Sequence, residues 1–119
     1  MSKSDVKIES ALKSSNDLSN AEAASILEAM YSSMSRETNI KKETMKPFLL
    51  FAQQRTELTN DTISYLQSFS GEQISLGCAS YVANFSNQTN KQDEIVEIVA
   101  QWEKKKPGLQ SAIEKLMKK

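Results

Sequence analysis

The sequence predicts an all-α fold: a compact bundle of six or seven short helices packed around a central helix at about 72–86. Three observations carry this expectation. Apolar residues recur at steps of three and four along most of the chain, the spacing of one buried helix face. Gly (3) and Pro (2) are scarce, so the tight turns of sheet proteins are poorly supplied. No stretch alternates apolar and polar residues as a half-buried strand would. With 119 residues, 39% hydrophobic and 25% charged, the chain suits one domain spanning 1–119 with one core.

The elements follow in order. Residues 4–15 give a weak first helix with Ile8, Ala11 and Leu12 on one side, and 1–5 are expected to fray. Ser19 and Glu22 form a capping box for a second helix. Its stripe of Ala23, Ile26, Leu27, Met30, Tyr31 and Met34 is the cleanest in the chain. Thr44 as N-cap puts Pro47 in the first turn of a helix at 45–57, where a missing N–H costs little. That helix is apolar almost all round through Phe48, Leu49, Leu50, Phe51 and Ala52, so it is either buried on two sides or partly a binding face. Thr59 caps the next helix, with Leu58 and Ile63 as a hydrophobic staple.

The central stretch comes next. Ile74, Gly77, Cys78, Tyr81, Val82 and Phe85 share one face, and no residue between Glu72 and Lys91 carries a charge. A helix without charge on any face is expected to be covered on most sides. Ser70 with Gln73 supplies a capping-box start, and Gly71 can close the preceding helix. Gly77 on the buried face reads as a helix–helix contact point, because it forfeits helix propensity. Thr89 or Asn90 then caps a helix through Lys105, buried along Ile95, Ile98, Val99 and Trp102. Pro107–Gly108 breaks the chain before a short C-terminal helix within 107–119, packed through Leu109, Ala112, Ile113, Leu116 and Met117.

Function is bounded mainly by what is missing. The chain has no histidine, which removes Ser–His and Cys–His nucleophile pairs, HExxH zinc sites and the Glu-x-x-His di-iron pattern. Cys78 is the lone cysteine, so paired-cysteine metal and redox motifs and an intrachain disulfide are absent. No glycine-rich phosphate loop occurs. Asp93 and Glu97 lie one helical turn apart, but a solvated, dipole-favourable first turn accounts for them. No catalytic residue, metal ligand or cofactor is therefore expected, and the chain is read as non-enzymatic. The first ten residues lack an apolar core of the signal-peptide kind, which points to the cytoplasm. The sequons at Asn60, Asn84 and Asn87 are accordingly not expected to carry glycan. The stretch at 72–86 is too short and polar to span a membrane.

What remains is a protein–protein interaction module, an adaptor, chaperone, inhibitor or immunity-type accessory protein, acting through a helical surface. Its candidate partner-binding residues are Phe48, Leu49, Trp102, Lys104, Lys105 and Lys106. The last four also suggest an alternative, a nucleic-acid-associated regulator, because cations beside an aromatic can hold a stacked base. Charges balance at 15 and 15, and the only arginines are Arg36 and Arg55, so the chain is poorly equipped for base readout. A self-assembling subunit, a homo-oligomer, is the third reading.

Overall fold

The structure, a computed structural model, describes residues 18–117. The helix expected at 4–15 and the fraying expected at 1–5 lie outside the described residues. Within 18–117 the chain forms six α-helices: α1 (Asn20–Ser35), α2 (Lys42–Gln53), α3 (Thr59–Ser68), α4 (Ala79–Asn87), α5 (Gln92–Glu103) and α6 (Leu109–Glu114). The all-α bundle is what the sequence predicts.

Helix α1 starts as expected. The Ser19 hydroxyl accepts from the Glu22 amide at 3.1 Å, and the Glu22 carboxylate accepts from the Ser19 amide at 3.0 Å. The Ser19 amide, and then its hydroxyl, hold the Glu22 carboxyl below its ordinary value. Ala23, Ile26, Leu27, Met30 and Met34 are buried, so both methionines serve the core. Arg55 fastens the start of α1 to the loop after α2. It donates to the Leu18 carbonyl at 2.7 Å, to Asn20 Oδ1 at 2.8 Å and to Glu57 at 2.9 Å.

At the centre lie α4, which packs against α2, α5 and α6, and α2 itself. Helix α2 packs against α1, α3 and α4, so its apolar run has neighbours on more than one side. Met45, Phe48, Leu49, Phe51 and Ala52 are buried as a result. This corrects the reading of Phe48 and Leu49 as partner-binding: they are core. The helix also begins earlier than the Thr44 cap implies. Lys41 is its N-cap without a side-chain bond, and Pro47 lies inside the helix. The early start follows from Ile40, whose amide donates to the Gln73 carbonyl at 2.6 Å and whose carbonyl accepts from Ser75 at 3.2 Å. That extended pairing ends at Ile40, and the chain turns into helix directly after it.

The same pairing breaks the expected central helix. Ile74 forms a parallel bridge with Ile40. Around it lie two 3-10 turns, Gly71–Gln73 and Leu76–Cys78, and α4 starts only at Ala79. The Ser70–Gln73 capping box is present, but it opens one 3-10 turn. Gln73 also reaches back to donate to the Ser35 and Glu37 carbonyls at 3.1 and 2.9 Å. Ile74, Cys78, Val82 and Phe85 are buried as the periodicity implies, while Gly77 is exposed and Tyr81 half-buried. Leu58 and Thr59 run from a 3-10 turn straight into α3, so Thr59 is its first residue rather than its cap.

Cys78 packs with its sulfur 3.2 Å from the Ile40 carbonyl and 3.5 Å from the Ser75 hydroxyl. Burial pushes its thiol above the ordinary value. Two effects therefore suppress attack on a thiol reagent: poor access, and a small thiolate fraction. Native protein at neutral pH should react with a disulfide reagent orders of magnitude more slowly than protein in denaturant. The folded thiol ionises later than the unfolded one, so this group's contribution to stability is lost as pH rises through its raised value. Equal native and denatured rates would show the Ile40–Ile74 pairing to be open in solution.

Helix α5 buries Ile95, Ile98, Val99 and Trp102, as expected. Gly108, at φ 96°, turns the chain in the left-handed region that glycine tolerates best. The Glu103 carboxylate then accepts from the Gly108 amide at 2.9 Å and the Gln110 amide at 2.9 Å, satisfying amides at the start of α6. Leu109 and Ile113 are buried against α4 and α5.

Candidate interaction surface

The predicted site residues do not gather into one surface. Phe48 and Leu49 are inside. Trp102 is only 2% exposed, and its indole N–H donates to the Phe69 carbonyl at 3.2 Å. Lys104 and Lys105 are exposed and Lys106 half-buried just past α5. The cations are therefore on the surface, but the aromatic that would stack a base beside them is sealed in the core. Asp93 and Glu97 are exposed on α5, and no group of three or more metal-binding side chains occurs among the described residues. No helix there is long and apolar enough to cross a membrane.

Several hollows mark the surface. One of about 310 Å³ between α3 and α5 is rimmed by Gln67, Glu94, Glu97 and Gln101 over Ile63, Ile98 and Trp102. Its floor is closed core, and Glu94 faces Lys91 at 3.9 Å. A dimple of about 100 Å³ between α1 and α2, lined by Met30, Met34, Pro47 and Phe48, is small and shallow.

The outward side of α4 is different in kind. Leu76 and Leu116 are the exposed large hydrophobic residues of the described chain, at 54% and 52%. Leu76 opens the 3-10 turn that leads into α4. Leu116, just beyond α6, lines a hollow of about 350 Å³ with Ser80, Tyr81, Asn84 and Asn87 of α4. The tail is held there by Asn87, whose side-chain amide donates to the Leu116 carbonyl at 3.1 Å. Leu116 is thus not part of the packed face assigned to the last helix; only Leu109 and Ile113 are fully buried.

This surface explains the missing charges. The stretch between Glu72 and Lys91 is not covered on most sides, since Leu76, Gly77, Ser80, Asn84 and Gln88 face solvent. In a chain with 25% charged residues, an outward helix face without any is conspicuous. At one edge the Lys42 stem lies near Gly77, with its carbon atoms 3.7 Å from where a methyl would project. The charge-free run was a usable signal in the sequence. It could not by itself distinguish a buried helix from a neutral exposed one.

Comparison of the chain with family models, with curated proteins and with solved structures finds no match.

Proposed function

We propose that the protein is a non-enzymatic interaction module of the cytoplasm that binds another protein through the uncharged face of α4. One observation carries this reading: Leu116, about half exposed, lines a hollow with the uncharged Ser80, Tyr81, Asn84 and Asn87, and Leu76, equally exposed, stands in the turn just before α4. Exposed leucines scattered singly are ordinary, but here the exposed leucines of the described chain flank a helix whose outward side carries no charge, and depletion of charge is what the core of a protein interface requires. Such an interface desolvates without stranding a charge. An adaptor, inhibitor or immunity-type role fits it equally.

The test is capture from cell lysate by immobilised protein, with and without nuclease, comparing Leu76→Asp and Leu116→Asp. Both positions are exposed, so both variants should keep the native circular dichroism spectrum. The bound protein should resist nuclease and moderate salt, because an apolar contact releases no counterions, and it should be lost in both variants. Capture that nuclease abolishes would favour the lysines after α5. Capture unchanged in both variants would overturn the assignment of this face.

A further inference from the structure

We propose that Tyr31 and Tyr65 form an oxidative modification site, at which a one-electron oxidant joins the two rings into a dityrosine that staples α1 to α3. The geometry of the pair comes first. The rings stack with their centroids 4.3 Å apart and their planes within 15° of parallel. Offset stacking at that separation puts ring carbons of one side chain in van der Waals contact with those of the other. The pair is also held from behind. Buried Phe69 tilts against Tyr31 with centroids 5.4 Å apart, and buried Phe48 tilts against Tyr65 at 6.4 Å. One ring comes from α1 and the other from α3, so the stack bridges helices that the whole of α2 separates in sequence.

The pair can be reached. Tyr31 and Tyr65 are half-buried, so each shows part of its ring to a diffusible oxidant. Trp102 and Cys78, which compete for the same oxidants, are buried. Burial first, and then the Glu28 and Asp61 carboxylates, hold the Tyr65 phenol above its ordinary value. At neutral pH the ring is therefore a phenol, and its proton leaves with the electron.

Each hydroxyl gives up one electron and one proton, leaving a neutral phenoxyl radical whose spin extends to the ring carbons beside the C–O carbon. One such carbon from each ring joins the other. Each then passes its hydrogen to its own oxygen, which restores both phenols. In net terms one C–C bond forms, two ring C–H bonds break, two electrons go to the oxidant and two protons go to water. Stacking beforehand replaces the encounter of two diffusing radicals by a contact already made. The third tyrosine, Tyr81, is half-buried on α4 and makes no ring contact among the described residues, so it is the internal control.

The test illuminates the dilute full chain with a ruthenium tris-bipyridyl complex and persulfate, which takes the two electrons and ends as two sulfates. The product should have the size of the monomer, a mass lower by two hydrogens, and dityrosine emission at longer wavelength than tyrosine or tryptophan. It should be lost in Tyr31→Phe and in Tyr65→Phe, which both keep a ring in the stack, and retained in Tyr81→Phe. In urea the yield should fall several-fold. The cross-link closes a loop around α2 and restricts the unfolded chain, so the modified monomer should show a higher urea midpoint. Product found only in covalent dimers, product surviving in Tyr31→Phe or Tyr65→Phe, product lost in Tyr81→Phe, or an equal yield in urea would each overturn the site. An unchanged midpoint would overturn the staple.

Discussion

Replacing Trp102 with alanine is expected to remove about 3–5 kcal/mol of stability, the range for deleting a large buried aromatic. A domain of this size holds only about 5–15 kcal/mol in total, so the variant should be close to unfolding at physiological temperature. The expectation rests on where the ring sits: 2% exposed in the last turn of α5, with its N–H donating to the Phe69 carbonyl. Trp102→Phe separates the two contributions. It keeps much of the apolar volume and loses the hydrogen bond, which should cost about 1–3 kcal/mol with the carbonyl left unpaired. Trp102 is the only tryptophan, so the variants must be followed by far-ultraviolet circular dichroism in urea, while native emission should be blue-shifted. A Trp102→Ala midpoint within error of wild type would mean that the ring is free, and the nucleic-acid reading of Lys104–Lys106 would regain its aromatic.

The helices legible in the sequence are those whose signals are local. Ser19 and Glu22 sit within one turn of each other and start α1 without help from the rest of the chain. The stripe Ile95, Ile98, Val99 and Trp102 likewise needs only helical spacing to be read. The region around 71–78 failed because its determinant is distant. Ile40 offers its amide and carbonyl to Gln73 and Ser75, and no periodicity within 72–86 reports a partner some thirty residues earlier. Helical spacing still placed Ile74, Cys78, Val82 and Phe85 inside, because a 3-10 turn and an α-turn differ little over so short a span. Phe48 and Leu49 were ambiguous for a related reason. An apolar run on all sides of a helix says that several faces are covered, but not whether by this chain or by another. Packing of α1, α3 and α4 around α2 resolves it in favour of this chain.

The candidate surface was harder to read for the opposite reason. A neutral sequence is compatible with burial and with an uncharged interface, and only exposure tells them apart. Leu116 falls on the same helical stripe as Leu109 and Ile113, yet α6 ends at Glu114 and Leu116 is exposed, while Met117 beyond it packs against the core again. The turn that ends it, closed by the Leu116 amide on the Ile113 carbonyl, is weakly coded in the run Glu114–Lys115–Leu116.

Gly71→Ala and Gly77→Ala are expected to have effects of opposite sign, and the contrast tests how the broken central segment packs. A methyl at Gly71 would collide with the Trp102 carbonyl oxygen and lie 2.7 Å from the Trp102 Cα. Both are backbone atoms, so no rotamer change relieves the overlap. The Gly71–Gln73 turn would have to lift from α5, straining the bond from Trp102 to Phe69. The expected loss is at least the 1–3 kcal/mol typical of an overpacked core. At Gly77 the reverse holds. A methyl there meets only the Lys42 side chain at 3.7 Å, an ordinary contact with a flexible neighbour, and the backbone φ is not positive. Alanine should then stabilise by about 0.4–1 kcal/mol, mainly by restricting the unfolded chain. Gly77 is therefore not the helix–helix contact that its place in the stripe implies; the close approach belongs to Gly71. Urea midpoints at unchanged slope measure both effects. A loss at Gly77 together with a gain at Gly71 would restore one continuous helix through this segment and remove the Ile40–Ile74 pairing that interrupts it.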